Sequence, residues 1–225
     1  MGHNEKRMKL PTKITERPKS KDEIIHPADY PLKEYFTHKI FTKKGAKDEF
    51  IKLINDKSGE SKIDNFLCDN PELFETLLDF TGNHGLWVIP KQQIKTRIGN
   101  ERGLIPDFIV GGKNSDGFQW WVIELKGAAT KLLKTNSQSE VYFTNEGNKG
   151  ISQLIEYIDY CRKYQSHLRD SFQLKDFREP SGMLIIGTEE EFESNVLKQN
   201  FKAAWNRLTK PNLEIRTYNS MTRKL

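Results

Sequence analysis

The sequence predicts a mixed α/β fold, a β-sheet flanked by helices and preceded by an extended arm. Three observations point to it. Apolar residues keep a helical period over 46–78, give way to β-branched and aromatic runs over 86–126, and return to a helical period over 151–161. A short, wholly apolar run at 183–187 follows that helix, as a buried strand follows a crossover. The 225 residues include 36% hydrophobic side chains, which suits one core of ordinary size.

Each element has its own signal. Residues 1–31 contain Pro11, Pro18, Pro27 and Pro31 among charged residues without an apolar period, which reads as an extended arm in front of a single domain over 32–225. Phe50, Ile51, Leu53 and Ile54 predict a helix over 46–57, broken by Ser58-Gly59. A second helix starts near Glu60 with Ile63, Phe66 and Leu67 inward. Asn70-Pro71 reads as an N-cap and first-turn proline opening a third through Leu73, Phe74, Leu77 and Leu78. Runs at 86–98, 104–110 and 118–126, separated by Gly99-Asn100 and by Gly111-Gly112 with 114–117, predict an antiparallel meander of three strands. Ile151, Leu154, Ile155, Ile158 and Cys161 recur at helical spacing beside a stripe of Gln153, Tyr157, Tyr160 and Tyr164. After the strand at 183–187, Thr188 and Glu191 form a capping box for a helix with Phe192, Val196, Phe201, Trp205 and Leu208 inward, and a last strand spans 213–218.

Composition narrows the function classes. No apolar run approaches the ~18 residues of a membrane span, and the first residues lack the apolar core of a secretory signal, so a cytoplasmic protein without membrane contact is expected. Two cysteines give no disulfide framework, and no two of the five histidines sit at metal-ligand spacing. The net charge of +5 resides in residues 1–21, which hold seven Lys/Arg against two Asp/Glu, so the rest is formally neutral and the arm reads as solvated or disordered. Local patches remain. Residues 91–102 carry four basic side chains and one acidic, 198–225 seven against one, and Glu189, Glu190, Glu191 and Glu193 form an acidic knot.

The chemistry concentrates in the third meander strand. Phe118, Trp120 and Val122 alternate with Trp121, Ile123 and Leu125, so the strand is apolar on both faces and central, and its tryptophans read as packing. Glu124 and Lys126 share one face at its end. A buried charged pair costs several kcal/mol unless it is matched or holds a metal, so its placement needs a reason. Asp107 on the adjacent strand reaches the side of Glu124 if the two strands pair around 111–117. Two carboxylates beside an ammonium describe a divalent-metal site with a basic group next to it. Lys91, Lys95, Arg97 and Arg102 lie on or beside the meander, facing either the phosphates of a substrate or solvent. His84 reads as a loop residue.

These residues carry a resemblance. Pro106-Asp107, 16 intervening residues and Glu124-Leu125-Lys126 match the PD-(D/E)XK nuclease signature. Together with GESKIDNFLCDNPELF, LIPDFIVG, WWVIELKG and GISQLIEYIDYC, the region over roughly 58–165 resembles the nuclease domain of Shedu-type anti-phage defence proteins. The resemblance implies a restriction-endonuclease-like fold and Mg²⁺-dependent cleavage of phosphodiesters, with Mn²⁺ as a substitute. Asp107 and Glu124 would ligate the metal, and Lys126 would orient the attacking water and offset phosphate charge. Glu60 matches a glutamate that completes such sites, and equally reads as an acid favoured by a helix N-terminus. Gln153 matches the glutamine of a Q-x-x-x-Y pattern closed by Tyr157. The implied partner is DNA, with RNA left open, and the rival reading is a silent nucleic-acid-binding module of the same fold. One centre per chain implies a homo-oligomer, at least a dimer, for cutting both strands of a duplex.

Overall fold

The computed structural model describes residues 33–77, 85–96, 99 and 101–223. The arm at 1–31, Leu78, His84 and Arg97 lie outside the described residues. Short 3-10 turns at Lys33–Tyr35 and Lys39–Phe41 flank strand β1 (Phe36–Thr37). Helices α1 (Ala46–Asn55), α2 (Glu60–Asp69) and α3 (Leu73–Leu77) precede strands β2 (Leu86–Pro90), β3 (Phe108–Asn114) and β4 (Gly117–Leu125). A hairpin of β5 (Leu133–Thr135) and β6 (Val141–Phe143) leads into α4 (Asn145–Lys163) and α5 (Gln165–Ser171). Strand β7 (Ser181–Ile185), helices α6 (Glu190–Glu193) and α7 (Val196–Thr209), strand β8 (Leu213–Arg216) and helix α8 (Tyr218–Thr222) complete the order.

The expected mixed sheet is present. Its six strands run β1-β2-β3-β4-β7-β8, and β5-β6 form a small second sheet. The three-strand meander holds: β2, β3 and β4 pair antiparallel, while β7 and β8 join in parallel. Parallel pairing requires a crossover, and α4 with α5 supplies it between β4 and β7. The alternation along β4 sorts as its sequence dictates. Trp121, Ile123 and Leu125 face one apolar cluster with α1, α2, α3 and α8, while Trp120 and Val122 face another with α4. Trp120 and Trp121 are packing residues, and the Trp120 indole N–H donates to the Lys175 carbonyl at 2.8 Å.

Several boundaries differ from expectation, each for a physical reason. Gly111 and Gly112 lie inside β3, paired with Trp120 and Gln119, and the turn sits at 114–117. The missing side chain admits the Trp120 ring, since a Cβ at Gly111 would lie 2.5 Å from it. Asn70 closes α2 by donating to the Phe66 carbonyl instead of capping α3. Helix α4 starts earlier than its apolar stripe because the Thr144 side chain caps it through Gly147 N–H. Its inner face carries Leu154, Tyr157, Ile158 and Cys161, leaving Ile155 exposed.

The expected capping box at Thr188 is absent, and α6 and α7 are separate helices. The Glu191 carboxylate instead accepts the Leu132 and Leu133 N–H groups, each at 2.7 Å. Val196 and Leu208 are exposed, so the inner face of α7 reduces to Phe201 and Trp205 packing edge-on against Phe143. The last strand ends at Arg216, and Tyr218 opens α8. Cys68 and Cys161 are free, and among the described residues no helix is long and apolar enough to cross a membrane.

Where β7 leaves the sheet, Gly187 adopts φ +63°, and a Cβ there would lie 2.4 Å from the Thr130 carbonyl oxygen. Its N–H and C=O bond to Gly127 and Tyr218. Gly187→Ala therefore combines backbone strain with a clash against main chain. The expected cost is about 2–4 kcal/mol, read as a melting temperature lower by several degrees. A wild-type melting curve would refute it.

Candidate functional site

The site forms where β3 begins and β4 ends, because antiparallel pairing brings those two ends together. Phe108 pairs with Ile123, so the preceding residue, Asp107, comes beside Glu124. Asp107 is held there by its own bonds. One carboxylate oxygen accepts the Leu125 N–H at 2.6 Å, and the other accepts the Lys91 ammonium at 2.5 Å.

Lys126 follows directly on β4. Its N–H donates to the Ile185 carbonyl of β7, and its C=O accepts the Tyr218 hydroxyl at 2.7 Å, so the main chain is fixed on both sides. Its ammonium donates to Glu124 at 2.7 Å and lies 3.6 Å from Glu60. Asp107, Glu124 and Lys126 are all buried. Burial pushes the Glu124 carboxyl up to about 7; the neighbouring Asp107 charge adds to this, and Lys126 opposes it. Lys126 itself is raised, because the attraction of Glu124 and Glu60 outweighs its own burial. Glu124 is thus a carboxylate whose charge is only partly compensated.

Two helices complete the surroundings. Helix α2 contributes Glu60, partly exposed at the mouth, and Asp64, which is buried and lies 3.1 Å from the Lys91 ammonium. Desolvation holds the Asp64 carboxyl above its usual range. Helix α4 contributes Gln153, whose amide N–H lies 3.4 Å from the Tyr157 hydroxyl, while that hydroxyl donates to the Ile105 carbonyl. The Gln153 amide oxygen is buried without a hydrogen-bond partner. Tyr157 is raised to about 12, by burial first and then by the Glu124 charge. Asp107, Glu124, Lys126 and Glu60 therefore come together, with Gln153 near through Tyr157.

The basic residues divide. Lys91 is turned inward between Asp64 and Asp107, whereas Lys95 pairs with Glu101 at 3.2 Å and Arg102 is exposed. A family model described as the C-terminal part of the Shedu protein SduA matches residues 57–222. The chain belongs to this family. The match spans Glu60 through Tyr218, so Shedu similarity extends beyond the central 58–165 region to β8 and α8. No curated protein matches the chain.

The Shedu-type site can be weighed for a metal by its donors. Among the described residues, no group of three or more His, Cys, Asp or Glu side chains is spaced to hold an ion. Mg²⁺, however, is held through one or two carboxylates with waters completing its shell, so Asp107 and Glu124 are a sufficient pair of hard donors. Among the described residues, the ion pairs of Glu60, Asp64, Asp107 and Glu124 are with Lys91 and Lys126, an excess of carboxylates that favours an added cation. The donor chemistry fits. Asp64 is the residue sequence reasoning missed. Its signal was the i, i+4 spacing from Glu60, which puts both acids on one helical face.

Proposed function

We propose that this Shedu-type protein is a Mg²⁺-dependent endonuclease of the PD-(D/E)XK class that hydrolyses phosphodiester bonds of DNA in anti-phage defence. One observation carries the reading: a desolvated Glu124, an Asp107 beside it and a buried ammonium meet at the ends of two paired strands. Maintaining such charges in a dry site opposes folding, and that opposition makes sense at a catalytic centre.

Asp107 and Glu124 would hold the metal, which when bound supplies charge stabilisation and a water of lowered pKa. The chain's own residues do the rest. Lys126, fixed through both of its backbone groups, aims an ammonium at the position of the attacked phosphate and offsets the negative charge that develops there. Glu60 restrains that ammonium from the mouth, and Gln153 offers a buried amide oxygen to a water or hydroxyl. Lys95, on the stretch after β2, and the exposed Arg102 would meet backbone phosphates of the substrate. A second copy would supply a second centre for the opposite strand, and the exposed apolar residues Val196, Leu197 and Leu208 of α7 offer a contact surface away from the site.

The test is a supercoiled plasmid incubated with and without Mg²⁺, with Asp107→Asn as the control. Relaxed or linear product is expected only for wild type with Mg²⁺. Intact plasmid in every lane would favour the silent binding module.

A further inference from the structure

Lys91 occupies a position its sequence context does not explain. It follows β2 in the left-handed region, φ 50°, and its N–H donates to the Asp107 carbonyl at 2.9 Å. The main chain is therefore fixed against the residue whose side chain it also binds. Its ammonium sits 2.5 Å from one Asp107 oxygen and 3.1 Å from Asp64. The side chain is nonetheless 46% exposed, so its flexible stem leads directly to solvent.

A cation between two carboxylates is what a divalent ion would also be, and the two cannot share Asp107 without strong repulsion. We propose that Lys91 is a resident counter-cation, displaced from Asp107 when a divalent ion binds, whose freed ammonium then positions a substrate phosphate at the mouth of the site. Metal loading and substrate capture are coupled through one side chain, each favouring the other. The inference rests on Asp107 acting as a metal ligand.

Amine footprinting of the wild-type protein tests it, with acetic anhydride as the reagent, Ca²⁺ as the probe ion and mass spectrometry of the Lys91 peptide. Ca²⁺ is expected to raise Lys91 acetylation several-fold, and a short DNA duplex added with Ca²⁺ to return it toward the metal-free level. Unchanged reactivity on adding Ca²⁺ overturns the displacement. A rise that the duplex leaves in place overturns the phosphate role.

Calorimetry separates this inference from the one beneath it. Lys91→Met should bind Ca²⁺ about tenfold more tightly than wild type, because an internal competitor is gone. Lys113→Met, which removes a charge at the end of β3 remote from Asp107, should change affinity less than twofold. Equal affinity for Lys91→Met and wild type overturns displacement alone, whereas no Ca²⁺ binding by either removes the metal role of Asp107 as well. Footprinting needs no variant, so a poorly folded Lys91→Met would leave the test standing.

Discussion

Glu124→Gln is expected to stop the proposed cleavage and, at pH 8 without metal, to raise the melting temperature. The Glu124 carboxyl titrates near 7 in the folded protein against an ordinary value of 4.5, so between those values the folded state binds more protons than the unfolded one. Stability therefore falls as pH rises from about 4.5 to 7, and the full cost persists above. Glutamine keeps the shape and removes the charge. The expected gain is about 1–3 kcal/mol after allowing for the weakened Lys126 bond, or several degrees for a chain of this size. It should vanish near pH 4.5, where wild-type Glu124 is itself protonated. Cleavage should drop by about 10³-fold or more, because a metal-bound charge worth several kcal/mol is lost. A lower melting temperature at pH 8, or a gain independent of pH, would contradict this account of Glu124. Cleavage at the wild-type rate would remove it from the site.

Lys126→Met has the opposite stability sign under the same conditions. It leaves the buried Glu124 charge without its ammonium, and breaking such a pair costs about 3–5 kcal/mol. Protonation of Glu124 relieves the loss, so the variant should recover much of its stability near pH 5. Turnover should fall by about 10²–10⁴-fold, the range for losing a group that acts on water or phosphate. Ca²⁺ affinity should be no weaker than wild type, since the ammonium ligates nothing. Weakened Ca²⁺ binding comparable with Asp107→Asn would show that Lys126 organises the metal ligands instead. Crossing the two substitutions measures their coupling directly.

The parts of the site carried by strand geometry were legible in the sequence. Alternation along 118–126 isolates Glu124 as a charge in an apolar strand, and pairing around the turn brings Asp107 to it. Lys91 shows the limit. Its charge was visible and its direction was not, since that depends on Asp64 approaching from α2 across more than twenty residues of chain. Asp64 itself looked like any acid on a helix surface. Glu191 has the spacing of a capping residue, but two backbone N–H groups at the entry to β5, those of Leu132 and Leu133, compete for its carboxylate and win. Gly111-Gly112 carried a turn signal because glycine marks both turns and close approaches, and only the position of the Trp120 ring decides between them. In α7, Val196 and Leu208 keep a helical period with Phe201 and Trp205, but Phe201 and Trp205 pack on Phe143 of the small β5–β6 sheet while Val196 and Leu208 stay exposed.

The hydroxyl of Tyr218 grips the carbonyl of Lys126 from 92 residues further along the chain, and its N–H fastens Gly187. This imposes an order on biosynthesis. During translation Asp107, Glu124 and Lys126 emerge long before β8 and Tyr218, so a nascent chain holds the three charged residues without the contact that fixes the Lys126 main chain. A product interrupted before residue 218 would be in the same state. Under the nuclease reading proposed above, competence would thus arrive only after β8 and α8 have been made and docked.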